Sequence, residues 1–529
     1  MTRCARHSSL ILFACALFLN GCGPGERRAD LVFLNGSEPE SLDPAIITGQ
    51  PEGRIVSALF EGLTAHDADA RVVPGVAERW EISPDGKIYV FHLRADARWS
   101  NGEAVTANNF VRSWERALAP STASEYAYQL FYIENAEDYN AGKQKDFSKV
   151  RVRALDERTL EVRLNNPTPF FLDLCGFPTL MPVHMPTIEK FGNEWIKPGR
   201  IVSNGSYGLV TWRINDHIRL RANPFYWDQA NVGLKVIDVL PTNKENTAYN
   251  IYHSGDADLI LDKNLIPSMI LDAVRGRADF HTSPFLGTYF YRFNTTRAPF
   301  KDPRVRKAIA LVIDKKRIVE KMTRAGEPIA SHFVPPGIPG YSSSQGLEYD
   351  PEAGRRLLAE AGYPGGRGFR NISLLFADRA VAKSVATEVQ AMLRNELGIH
   401  VELAQQEWKV YLNSMSSLDY DLAASSWVGD YNDPNTFLDM FVTDGGNNRT
   451  GWSNARYDSL IRAAAKELNP RKRADIFRQA ETILCRDELP IVPFYFYVGI
   501  QFYDGKKFAG IRANVLDDHP LKYIRRVMN

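Results

Sequence analysis

The 529-residue chain has little of what covalent or metal chemistry needs. Of five cysteines, Cys4, Cys15 and Cys22 lie at the N-terminus, leaving only Cys175 and Cys485 for the body. Both sit in apolar contexts, "FFLDLCGF" and "AETILCRDE", so a single disulfide and two buried thiols both stay open. The ten histidines are scattered, with no H-E-x-x-H and no His/Cys cluster, which argues against a metal. There is no G-x-S-x-G elbow, no phosphate loop and no G-x-G-x-x-G after a strand. These absences make an enzyme, and with it a cofactor, the less economical reading. A formal net charge of +1, with no long basic run, excludes a nucleic-acid-binding surface from the expected functions. Beyond residue 20 no run of about 18 apolar residues occurs, so the mature chain is not expected to span a membrane.

What is present starts with a leader. Arg3 and Arg6 precede "SSLILFACALFLN", an apolar core too short for a stable span. It ends in "LNGC", which resembles the lipobox of bacterial lipoproteins. Residues 1–21 are thus expected to be a signal peptide, with Cys22 acylated and residues 22–30 a flexible tether. The whole chain is 44% hydrophobic and 24% charged, as in ordinary globular proteins, and it is too long for one compact core.

Local elements read clearly. "RTLEVRLNNPTP" alternates Leu160, Val162 and Leu164 with polar residues, a strand with one buried face. "SPDGKIYVFHLR" sets an Asp85-Gly86 turn before a strand over Lys87 to Arg94. "KDPRVRKAIALVIDKKRIVEKM" has Asp302 as N-cap and Pro303 first, then Val305, Ile309, Val312 and Lys316 at helical spacing. Asp350-Pro351 repeats that start, and Gly398 should stop a helix before a strand over Ile399 to Leu403. "NPRKRADIFRQAETILC" leads into the apolar strand "LPIVPFYFYVGIQF". Helices alternating with strands in the second half indicate an α/β lobe.

The densest polar-aromatic stretch is "SSWVGDYNDPNTFL", residues 425–438. A calcium loop starting at Asp430 and Asn432 would need an oxygen ligand at 434 and glycine at 435. Those positions are Pro434 and Asn435, so that register fails. Asp433-Pro434 instead reads as a helix start, with Asp433 capping. Asp430 has no such local explanation.

Several ordered blocks then resemble one family, the extracytoplasmic oligopeptide-binding proteins of ABC transporters (peptide and nickel substrate-binding lipoproteins). They are "NGSEPESLDP", "LFEGL", "PGVAERWEISPDGKIYVFHLRADARWSNGEAVTANNFVRSWERAL", "NGSYGLVTWRINDHIRLRANPFYWD", "APFKDPRVRKAIALVID" and "VGDYNDPNTFL". The resemblance implies an α/β, two-lobed periplasmic binding protein (type II-like, hinge-closing) with an additional domain inserted in the N-terminal half. Lobe I would comprise 31–60, 186–286 and 498–529, the inserted domain 61–185, and lobe II 287–497. A short peptide would lie between the lobes as an added strand. By the resemblance Asp430 would bind its α-ammonium, Trp427 and Trp408 would line side-chain pockets, and Tyr126 and Tyr497 would lie near its backbone. Ser425, Ser426 and Val428, with Trp427 between them, would form the strand that pairs with it.

The implied function is delivery of short peptides to an ABC permease by a monomeric, lipid-anchored extracytoplasmic receptor, without catalysis. A murein peptide, a dipeptide or a metal chelate are alternative ligands, and a signalling lipoprotein is an alternative role. Basic residues that meet the ligand carboxylate in relatives align with Ala424, Ala382 and Thr323, with Lys383 and Arg324 adjacent. The N-terminal anchor is retained and the usual C-terminal ones are not. A disulfide of some relatives would join positions that here are Gly287 and Val428.

Overall fold

The computed structural model describes residues 28–527; the leader and Cys22 lie outside the described residues. Helices begin where a side chain can accept the free N–H groups of the first turn. Asp302 accepts from Arg304 N ahead of Pro303–Leu311, and Asp350 from Ala353 N ahead of Pro351–Glu360. Asn469 accepts from Arg471 N and Lys472 N ahead of Pro470–Thr482. Gly398, at φ +67°, closes the helix Ala380–Leu397 in a conformation that costs other residues more.

Two local expectations shift. The apolar spacing from Val305 to Lys316 suggests one continuous helix, yet the first helix ends at Leu311. Asp314 accepts from Arg317 N and starts a second short helix, Lys315–Ile318. A capping side chain thus overrides the apolar period. The strand expected at Ile399 to Leu403 runs instead over Val401–Gln406, because its partner fixes the start: Ile372 pairs with Val401.

One large sheet organises the chain. Its order is Val401–Gln406, Ile372–Ala377, Leu422–Val428, Phe280–Phe293, Ile491–Tyr503, Leu259–Ile260, Leu31–Leu34, Val236–Leu240, His217–Ala222 and Tyr207–Arg213. The long antiparallel strands Phe280–Phe293 and Ile491–Tyr503 run through its middle, and their register slips between Pro284 and Thr288. On either side of the slip the sheet belongs to a different core. Tyr291, Phe293, Leu374 and Val492 pack with Val305, Ile309 and Val389, whereas Leu34, Ile260 and Phe502 pack with Ala248 and Leu271. A separate four-stranded antiparallel sheet, Ala77–Ile82, Ile88–Leu93, Thr159–Arg163 and Val152–Ala154, carries the helix Ala107–Leu118. Cys175 and Cys485 are both buried free thiols, in separate cores. Among the described residues no helix is long and apolar enough to cross a membrane.

Candidate functional site

Strand Leu422–Val428 pairs along one side with Phe280–Phe293, from Gly287 opposite Val428 to Phe293 opposite Leu422. On its other side Ile372–Ala377 pairs only with Leu422 and Ala423. The Ala424 carbonyl accepts the Tyr411 hydroxyl at 2.7 Å. From Ser425 to Val428 the outer edge has no strand partner among the described residues, which leaves backbone groups available to an extended ligand. Ser426 is exposed there. Ser425 is buried and its hydroxyl accepts from Arg292 Nε at 3.1 Å, so its side chain supports the strand from behind.

Gly287 and Val428, the positions of the relatives' disulfide, are direct cross-strand partners. A Cβ at 287 would lie 2.6 Å from Tyr497 Cδ2. The missing side chain makes room for the Tyr497 ring. Gly287→Ala is accordingly expected to push that ring aside and destabilise the protein by about 1–3 kcal/mol, read by denaturant titration.

Past the strand, Asp430 N donates to Thr436 Oγ1 at 3.1 Å and Trp427 Nε1 donates to Thr436 O at 2.7 Å. The ring and the carboxylate are thereby held on one support. Asp430 Oδ2 accepts from Gln129 Nε2 at 3.0 Å and from Tyr128 Oη at 3.3 Å, and has no cationic partner among the described residues. Burial pushes its carboxyl up to about 7, only partly offset by those two hydrogen bonds. Asp439 is pushed up to about 7 as well, by burial and then by the charges of Asp430 and Asp433.

Tyr128 and Gln129 are the residues that sequence reasoning missed. Tyr126, the expected tyrosine, stacks on Tyr128 at 5.5 Å and lies 5.2 Å from the Phe177 ring, and so positions Tyr128. All three stand in "SEYAYQL", but nothing local distinguishes which of them reaches a carboxylate about 300 residues away. Nearby, Tyr431 stacks on Phe170 at 4.2 Å and its hydroxyl lies 3.4 Å from that of Tyr132. The segments 126–132 and 170 therefore close over the loop that carries Asp430.

The expectation for Asp433 is corrected. The helix is a single turn, Asn435–Leu438, and Pro434 precedes it rather than opening it. Asp433 Oδ1 still accepts from Asn435 N at 2.9 Å, but both carboxylate oxygens are also held by Arg473, at 2.6 and 2.9 Å. A buried ion pair, more than a cap, fixes this loop.

Trp408 starts the helix Trp408–Ser416, is 49% exposed, and stacks on Tyr411 at 5.4 Å. Of the positions that carry basic residues in relatives, Ala424 is buried, and Thr323 is buried with its hydroxyl donating to Glu327 at 2.7 Å. Arg324 is engaged by Asp272.

A model of the bacterial extracellular solute-binding proteins, family 5, matches residues 71–449. This chain belongs to that family. It is 38% identical over 483 residues to the periplasmic oligopeptide-binding protein OppA of Salmonella typhimurium, covering 89% of this chain and 88% of that one. It is 35% identical over 506 residues to the oligopeptide-binding protein OppA of Bacillus subtilis, covering 92% of each. Among solved structures, a Borrelia burgdorferi periplasmic oligopeptide-binding protein superposes with a TM-score of 0.84 at 33% identity, covering 94% of this chain and 100% of that chain. The Escherichia coli murein tripeptide binding protein MppA gives 0.83 at 33%, covering 94% and 98%. The fold is thus the α/β, two-lobed one of family 5 solute-binding proteins.

Proposed function

We propose that this family 5 protein captures short peptides between its lobes and delivers them to an ABC importer. One observation carries the reading: Asp430, a carboxylate with no counter-ion among the described residues, stands just past a strand whose outer edge none of them pairs. A buried carboxylate of this kind gains most from a ligand ammonium, and an open strand edge gains most from a ligand backbone. Together they describe a peptide N-terminus. OppA of Haemophilus influenzae, solved in complex with RPPGFSPFR, superposes with a TM-score of 0.82 at 32% identity, covering 94% of this chain and 99% of that chain. That likeness supports the same class of ligand here.

On this reading Trp427, Trp408, Tyr126 and Tyr497 line the ligand's path, and Ser425, Ser426 and Val428 belong to the strand that pairs with it. Lobe I comprises 31–60, 186–286 and 498–529, the inserted domain 61–185, and lobe II 287–497. The strands crossing at the register slip serve as the hinge. The protein acts as a monomer outside the cytoplasm, held to a membrane through acylated Cys22, and performs no chemistry on its cargo.

Calorimetry with matched peptides tests this. Free tri- to pentapeptides are expected to bind, and their N-acetyl forms to bind at least about 100-fold more weakly, because the amine that pairs with Asp430 is gone. Equal affinity for both forms would remove Asp430 from the amine-binding role.

A further inference from the structure

Two cations lie against aromatic rings expected to line the ligand path. Lys263 follows the short strand Leu259–Ile260 on one side of the register slip, and its Nζ lies 3.1 Å from the centre of the Tyr497 ring and 5.3 Å from that of Phe285. Arg379 follows the strand Ile372–Ala377 on the other side, with its guanidinium 5.3 Å from the Trp408 ring. Neither forms an ion pair with a carboxylate among the described residues.

The carboxylates nearest Lys263 are committed elsewhere. Asp262 accepts from Asn264 N and Nδ2, both at 2.9 Å, and pairs with Arg54 at 3.5 Å. Glu327 accepts from Thr323 Oγ1 at 2.7 Å and Ala325 N at 3.0 Å. Asp517 accepts from Gln501 Nε2 at 2.5 Å and Ser283 Oγ at 3.4 Å. Burial draws the Lys263 ammonium down to about 7, with the Arg379 charge opposing it and Glu327, Asp262 and Asp517 favouring it. A cation held this way gains from a carboxylate that a ligand brings to it.

We propose that Lys263 and Arg379, brought together from the two lobes around Tyr497 and Trp408, form a carboxylate-binding subsite of the ligand cleft. It substitutes for the basic residues absent at Ala424, Ala382 and Thr323. Placement on the ligand path follows from contact: the Tyr497 ring packs over Gly287, directly opposite Val428 on the open-edged strand, and Lys263 lies over that ring. Val428 and Asp430 are two positions apart, at most about 7 Å along the chain. A carboxylate on the first few residues of a peptide whose amine sits at Asp430 can reach the subsite. Either an acidic side chain or the C-terminus of a short peptide has this chemistry. Because the two cations sit on opposite lobes, such a ligand also favours the closed form over the open one.

The inference rests on the peptide-capture reading, and the experiment separates the two. Calorimetry on the intact protein uses Ala-Glu-Ala-Ala against Ala-Gln-Ala-Ala for the side chain, and tetra-alanine against its C-terminal amide for the terminus. In at least one arm the acid is expected to bind about 10- to 100-fold more tightly than its neutral partner, as for a charge-assisted pair. Whichever arm shows the preference identifies the source. Lys263→Met and Arg379→Met should each reduce that ratio and together bring it near unity, with thermal unfolding of the variants confirming that they fold. Binding of all four peptides with no preference in either arm, or a preference that survives in the double variant, overturns the subsite and leaves peptide capture standing. Absence of binding by any of the four overturns both.

Discussion

Asp430→Asn is expected to lower affinity for free peptides by about 100- to 1000-fold, the consequence of leaving a ligand ammonium in the cleft without a counter-charge. The same change should not destabilise the empty protein, and should stabilise it above neutral pH. Asparagine keeps an oxygen to accept from Gln129 Nε2 and Tyr128 Oη, the present partners of the carboxylate. It removes a charge that burial disfavours, the carboxyl being pushed up to about 7. A carboxyl whose pKa is raised in the folded state supports folding fully only below its unfolded pKa, and that support is lost as pH rises through about 7. The peptide ammonium prefers the ionised form, so parental affinity should fall as pH drops from 7 towards 5, by up to about tenfold per unit. Asp430→Asn should flatten that dependence. Calorimetry across this range, with thermal unfolding of the empty variant, measures both effects. Undiminished affinity in the variant would show that the amine is held elsewhere.

The second large effect falls on stability. Arg473→Met is expected to lower the unfolding free energy by about 3–5 kcal/mol, because it leaves Asp433 buried and unpaired. Arg473 and Asp433 have side chains only 9% and 12% exposed and are joined by two hydrogen bonds. The guanidinium also lies 4.6 Å from the Phe477 ring and donates to Ala464 O, so the helix Pro470–Thr482 is tied to the site loop through it. Removing both charges, in Asp433→Asn with Arg473→Met, should recover part of the loss, since an uncharged pair no longer strands a carboxylate. Urea titration of the two variants beside the parent decides this. A single variant as stable as the parent would mean that water reaches Asp433. Because the Asp433 loop also carries Asp430, the single variant should bind peptides more weakly even where it remains folded.

Some of this was legible in the sequence. Asp302, Asp350 and Asn469 announce helix starts, Gly398 announces a stop, and the apolar run from Ile491 announces a buried strand, because caps and alternation act within a few residues. Asp430 stood out for a related reason: Asp433-Pro434 read as a helix start, and Asp430 had no such local explanation. Where two local signals competed, the sequence alone misjudged the outcome. Asp314 broke a helix that apolar spacing continued, and Asp433 serves Arg473 besides the turn that follows it.

Tertiary structure decided the rest. Tyr128 and Gln129 reach Asp430 across 302 and 301 positions of chain, and no local pattern encodes an encounter over such a distance. Gly287 makes sense only beside Tyr497, which occupies the space a side chain there would need. Lys263 and Arg379 look like ordinary surface cations in the sequence, and only the fold sets them against the rings of Tyr497 and Trp408. Residue types and caps fix the local backbone, because those forces act over a turn or a strand pair. Which charges lack a partner depends on how sheet and loops bring distant segments together, and that is settled only when the whole chain has packed.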